Sequence, residues 1–512
     1  MTATQVDPLP ARERSPELVS VNPATLEDLG RVRIYGEADI TRALDSARAA
    51  QPSWASLSFK ERAAVIMRAK RLLLASQDEV CELITRETGK PVLESLTNEV
   101  FPIANLMDYF ARKSARLLRG EQFTLSVFRN KKSRITYAPL GVVAVIAPWN
   151  YPFSIPMGEV VMALMAGNAV LLKPSEYTPL VGLEIGRLFR DAGLPDGLLH
   201  LLTGDSATGA ALVNTAVDKI FFTGSTRTGW KIAETAARRA VPFVLELGGK
   251  DAMIVCADAP FERTVNGAVW GAFSNCGQAC ASVERLYVIE SIAERFIGAV
   301  VEKTRTLRVG VDGERQQDIG PINNERQLRI VTEHVNDAVA HGAKVLTGGK
   351  RIESLPGYFF EPTILVNVTN SMRVMQEETF GPVLPIVVVK DEAEAIREAN
   401  RSRYGLLASV WTKDTRRGQR IAAQLEAGTV IINDAIYTHS AAETPWFGVK
   451  QSGFGVTHSK HGLREFARMK HINWDLFPLK TNLWWYPYSD KRRRQFTLLS
   501  TILHKWGLKR WL

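Results

Sequence analysis

The sequence is poor in cysteine: Cys81, Cys256, Cys276 and Cys280 are the only ones in 512 residues. So few thiols in so long a chain make no disulfide framework, and they fit a reducing, cytoplasmic setting. The CxxxC pair Cys276/Cys280 could be half of a zinc site, but no CxxC or HxxxH supplies the other half, so no metal is expected. The opening stretch MTATQVDPLPARERSPELVS has no basic segment followed by an apolar run, and no secretory signal is read from it. Long hydrophobic runs are lacking too. The longest uncharged stretch is broken by Pro148, Asn150, Pro152 and Pro156, which fits a strand, a loop and a buried helix better than a membrane span.

Charge is unevenly placed. The chain carries a formal +10, and the segment from Lys480 to Leu512 holds eight basic residues against Asp490 alone, so the rest of the chain is nearly balanced. That body has no basic stripe with interleaved aromatics, which argues against nucleic acid as a partner. The tail, LWWYPYSDKRRRQFTLLSTILHKWGLKRWL, reads as an amphipathic helix capped by Ser489, with Phe496, Leu499, Ile502, Leu503 and Trp506 on one face. Basic residues with Trp at its ends suit the surface of an anionic membrane. Docking of the same helix on the protein itself, or on a partner subunit, is the competing expectation.

Through most of the chain, segments of helical period alternate with short β-branched runs, the pattern of an α/β protein with largely parallel sheets. Strands are expected at Val142–Ala147, Ala169–Leu172, Lys219–Thr223, Val244–Glu246, Ala252–Val255 and Leu286–Ile289, with a helix over Met157–Met165. The strand at 219–223 runs into GSTRTG and a helix, the order a dinucleotide site uses, although the GxxxxG spacing of Gly224 and Gly229 alone is more often a tight turn. Cys280 falls in a loop between a helix from Phe261 and the 286–289 strand. Gly277 and Gln278 are expected to leave the backbone near its sulfur little encumbered. Glu246, before Gly248-Gly249, and Asn150, in the proline-flanked APWNYP turn, are the other polar groups that could join it. Taken singly, a buried structural cysteine, a solvated strand end and a turn residue are the ordinary readings.

Together these stretches resemble the NAD(P)-dependent aldehyde dehydrogenase superfamily. APWNYP (147–152), KPSE (173–176), FTGST (222–226), ELGGK (246–250), GQAC (277–280), EETFGP (377–382), YGL (404–406), GTVIIN (428–433) and PWFGVKQSGFG (445–455) occur in family order. The resemblance implies a Rossmann-type cofactor domain (1–121 and 140–248) and an α/β catalytic domain (249–448). It also implies a small β bridging element (122–139 and 466–477) that pairs subunits into a homodimer or homotetramer, followed by the tail, 478–512.

By the same resemblance Cys280 is the nucleophile, and its thiol needs only modest help to ionise. The Asn150 amide and the Cys280 N–H form the oxyanion site, and Glu246 is the base for thioester hydrolysis. Trp149, Lys173, Glu176, Gly224, Ser225, Glu378 and Phe380 fall at cofactor-binding positions. A carboxylate at 176 favours NAD, with its free ribose 2′-hydroxyl, over NADP.

The succinic semialdehyde branch presents arginines where this sequence has Gly158 and Ser274, so an apolar fatty or aromatic aldehyde is expected. Arg285 is read as structural. Succinic semialdehyde is the alternative substrate, and an inactive, membrane-associated scaffold is the alternative outside catalysis. A Cys–His hydrolase finds no local signature among the eight histidines. Glu246 favours water over coenzyme A as the group that attacks the thioester.

Overall fold

The computed structural model describes residues 16–128, 130–312, 317–477 and 480–505. Two mostly parallel sheets dominate it. The first has six strands in the order Gly453–Phe454, Phe243–Glu246, Lys219–Thr223, Val142–Ile146, Ala169–Lys173 and Leu199–Leu201. Its two middle apolar runs, VVAVI and KIFFT, are almost wholly buried, as strands covered by helices on both faces must be. The second sheet has seven strands and is centred on Asp251–Val255 and Val283–Ile289, which pair in parallel. Each sheet takes one antiparallel edge strand, Gly453–Phe454 in the first and Lys344–Thr347 in the second.

Two separate apolar cores follow from this arrangement. One gathers residues from Ile40 to Leu247 with Ala442, Leu463 and Phe466, and the other runs from Ala252 to Ala435. The helix Ser154–Ala166 lies in the first and is buried at all of its positions, the behaviour of a helix that is apolar all round. A third sheet, Ala467–Asp475, Lys131–Pro139 and Gln122–Thr124, is antiparallel and leaves Met469, Ile472, Trp474 and Phe123 exposed.

The expected strands are all present: Lys219–Thr223 has the expected bounds, Val142–Ile146 ends one residue early, Ala169–Lys173, Phe243–Glu246 and Asp251–Val255 are one residue longer, and Val283–Ile289 starts three residues earlier. The tail helix spans Asp490–Ser500, with Ser489 accepting from the Arg492 N–H as its cap. Trp506 and the basic residues after it, like residues 1–15, lie outside the described residues. Among the described residues no helix is long and apolar enough to cross a membrane.

Candidate active site

Cys280 stands where the two sheets meet. The helix Phe261–Phe273 passes into a short 3-10 turn, Ser274–Gly277, in which Asn275 (φ 51°), Cys276 (φ 57°) and Gly277 (φ 70°) are successively left-handed. That conformation costs energy in non-glycine residues, and packing holds it. A Cβ on Gly277 would stand 2.2 Å from the Gly381 carbonyl oxygen, and one on Gly249 would stand 2.5 Å from the Cys280 carbonyl oxygen. The second contact presses the ELGGK turn against GQAC. The loop is therefore crowded, where an unencumbered backbone was expected. Gln278 is buried and braces it, accepting from the Asn323 N–H (2.8 Å) and donating to the Asn275 carbonyl (2.9 Å).

Glu246 is not a solvated strand end either. It is 6% exposed, and neither of its carboxylate oxygens completes a hydrogen bond. Burial, reinforced by the nearby Glu159 carboxyl, raises its pKa well above the ordinary carboxylate range, against a small opposing effect of Trp446. Cys280, Glu246 and Glu159 line one cavity of about 20 Å³ with Ile155, Met162 and Trp446. The thiol is also harder to ionise than expected. Burial pushes the Cys280 pKa up, and Asp251, Glu246 and Glu378 add to the effect, outweighing a hydrogen bond from the Ala281 N–H that favours the thiolate.

Asn150 joins the site through its amide, which donates to the Gln278 carbonyl at 3.0 Å. Its loop is held from beneath by a buried ion pair. Lys90 Nζ donates to Glu99 and to the Asn150 carbonyl, both at 2.6 Å, and Glu99 accepts from the N–H groups of Phe153 and Ser154 at the start of the following helix. Lys90 and Glu99 belong to no local motif, and sequence reasoning missed both.

Of the residues read as cofactor-binding, Trp149, Lys173, Glu176, Gly224 and Ser225 lie at or just after the ends of strands of the first sheet, and Glu378 and Phe380 lie just before the strand Val383–Val389 of the second. Lys173 ends its strand and donates to Glu176 at 3.3 Å. Gly224 lies in the turn after Lys219–Thr223, where a Cβ would stand 2.6 Å from the Phe222 ring, and Ser225 caps the helix Thr226–Arg238. The buried hydroxyl of Thr223 at this turn has no partner. A helix N-terminus with an unused hydroxyl beside a glycine turn fits a dinucleotide pyrophosphate. Glu378 accepts from the Gly249 N–H at 3.0 Å, and Phe380 meets Trp149 edge-on at 5.3 Å.

Arg285 is buried and donates to the carbonyls of Lys250, Glu398 and Ala399, so it is structural. Among the described residues no cluster of His, Cys, Asp or Glu could hold a metal ion. Sequence reasoning missed Glu159, His439 and His458, all of which line the cavity. The one available signal was a lone glutamate inside the apolar run MGEVVMALM.

The aldehyde dehydrogenase family model matches residues 11–472. A 4,4'-diapolycopene aldehyde oxidase of Methylomonas sp is 40% identical, covering 94% of this chain and 90% of the relative. A putative succinate-semialdehyde dehydrogenase [NADP(+)] 2 of Mycobacterium tuberculosis is 39% identical, covering 88% and 86%. Among solved structures, a Mycobacterium tuberculosis aldehyde dehydrogenase complexed with NAD+ is similar with a TM-score of 0.87 and 34% identity, over 92% of this chain and 96% of that one.

Proposed function

The chain belongs to the aldehyde dehydrogenase family, and we propose that within it this protein oxidises an apolar aldehyde to the carboxylic acid with NAD, in the cytoplasm and at the surface of an anionic membrane. The observation that carries the reading is the meeting of Cys280 and Glu246 in one cavity.

In this reading Cys280 Sγ adds to the aldehyde carbon. Because burial disfavours the free thiolate, the thiol proton is best removed as the C–S bond forms. The oxygen of the adduct is received by the Asn150 amide and the Cys280 N–H. A bound NAD, held by Lys173, Glu176, Gly224, Ser225, Glu378, Phe380 and Trp149, would supply the hydride acceptor for the step that leaves a thioester on Cys280. Glu246 then deprotonates the water that cleaves it. Glu176, placed by Lys173, suits a ribose with a free 2′-hydroxyl and repels a 2′-phosphate, which supports NAD over NADP.

The substrate class rests on two positions. Gly158 sits among Leu106 and Ile103, and the Ser274 hydroxyl is committed to the Glu94 carboxylate at 2.8 Å. A second carboxylate on the substrate would find no cation at either place, and Glu94 would oppose it. Of the relatives' named substrates, 4,4'-diapolycopene aldehyde is one with no second charged group.

The membrane reading rests on the segment beyond the family match, where Trp485, Tyr486, Tyr488 and Leu498 are exposed beside Lys491–Arg494. The exposed three-stranded sheet supports a subunit contact, hence a homodimer or homotetramer. The test is NADH formation from decanal and from succinic semialdehyde, with NAD or NADP. Faster turnover of the semialdehyde would overturn the substrate class. No turnover of either would favour the scaffold reading.

A further inference from the structure

We infer that Glu159, with His458 and His439, conducts protons from Glu246 to solvent, a role that rests on the aldehyde-oxidising reading above. Oxidation of an aldehyde by NAD and water to a carboxylate releases two protons per turnover. The first is the hydroxyl proton that a base removes as the thiohemiacetal becomes the thioester, a step for which a bound NAD would supply the hydride acceptor. In the second step a water oxygen bonds to the acyl carbon, a water proton goes to Glu246, and the C–S bond breaks with its electron pair on Sγ. The thiolate is reprotonated, and the new carboxylic acid ionises. Both protons appear in a cavity of about 20 Å³, room for about one water molecule. They need a way out.

Glu159 has no packing reason to be where it is. It sits within the wholly buried helix Ser154–Ala166, is 3% exposed, and one of its carboxylate oxygens has no hydrogen-bond partner. An apolar residue there would avoid the cost of burying a polar group unpaired. The titratable groups lining the cavity with it are Glu246, Cys280, His439 and His458. A Cβ added at Gly158 would stand 4.0 Å from His458 Nε2, which places that ring against the residue that precedes Glu159 in the chain. The two imidazoles follow each other with centroids 4.8 Å apart, and His458 Nδ1 is buried without a partner. His439 belongs to the turn Tyr437–Ser440, none of which is fully buried, so the sequence of groups leads outward.

The backbone is strained to hold this arrangement: His458 and Ser459 both have positive φ, 58° and 55°. Burial sets Glu159 at about 8, so it can gain and lose a proton near neutral pH. It also keeps both imidazoles neutral, His439 at about 4 and His458 well below its usual value. A neutral imidazole accepts at one nitrogen and donates from the other. The path therefore stores no charge at its histidines.

The test uses full-length Glu159→Gln, Glu159→Asp and His458→Gln proteins with decanal and NAD, measuring the pre-steady-state NADH burst and the steady-state rate over a range of imidazole buffer. Glu159→Gln and His458→Gln should keep the burst, lose turnover about ten-fold or more at low buffer, and recover as buffer rises. Glu159→Asp, still ionisable, should stay insensitive to buffer. Turnover in Glu159→Gln equal to wild type at every buffer concentration would overturn the relay. If Glu159→Gln gives no burst, His458→Gln decides by the same comparison. A wild-type protein without NADH formation would instead sink the aldehyde reading.

Discussion

Lys90 Nζ reaches the backbone carbonyl of Asn150 at 2.6 Å from a position with no solvent exposure, and its ion-pair partner Glu99 is equally buried. The pair ties a loop of the first core to the residue that reaches the Cys280 loop. Lys90→Met leaves Glu99 charged, buried and unpaired. Breaking such a pair costs roughly 3–5 kcal/mol, so urea unfolding should show a loss of that order. Unchanged stability would mean that the loop is held by other contacts.

Cys280→Ala should form no NADH. Glu246→Gln should separate the two halves of the reaction, with one burst of NADH per active site followed by turnover slowed by about 10²–10⁴-fold. Stopped-flow absorbance reads both phases. Loss of the burst together with turnover would place Glu246 in the first step, as the acceptor of the Cys280 proton.

The raised Glu159 pKa carries a stability sign. Its folded value of about 8 lies above the ordinary glutamate value of 4.5, so the stability of the neutral buried form is fully present below about pH 4.5 and is lost as pH rises towards 8. Glu159→Gln removes that loss. The variant should match wild type near pH 5 and be more stable near pH 8, by an upper bound of roughly 4–5 kcal/mol. Thermal unfolding at the two pH values checks it. A variant equally destabilised at both would show that the carboxyl is not neutral in the fold.

Gly277→Ala puts a Cβ 2.2 Å from the Gly381 carbonyl oxygen at a residue with φ +70°. Backbone lies on the far side of this contact, so the 274–280 turn itself must shift. The expected result is about 1–3 kcal/mol of destabilisation and a fall in NADH formation larger than the fall in folded protein. Retained activity would show that the loop tolerates the displacement.

The tail should bind charged lipid. Replacing Arg492, Arg493 and Arg494 by Glu removes three cations, each contributing about 1 kcal/mol near an anionic surface. Co-sedimentation with phosphatidylserine-containing vesicles should fall steeply, while decanal oxidation in solution is kept. Equal binding of wild type to neutral and anionic vesicles, or to neither, would favour a subunit contact for this helix.

The sequence by itself determined the family and the α/β architecture and singled out Cys280, Glu246 and Asn150 as candidates, because these are carried by short motifs whose chemistry is local. Strand runs such as VVAVI show their burial in their composition, and Ser489 shows its cap in its residue type. Only the tertiary structure decided the state of those groups. Ionisation depends on what lies across the cavity, and the neighbours of Cys280 and Glu246 come from helices, turns and strands far apart in the chain. The crowding of the 274–280 loop, the raised Cys280 and Glu246 pKa values, the Lys90–Glu99 support and the Glu159–His458–His439 cluster all arise from long-range contacts. No spacing rule in one dimension encodes which sheet edge will face which.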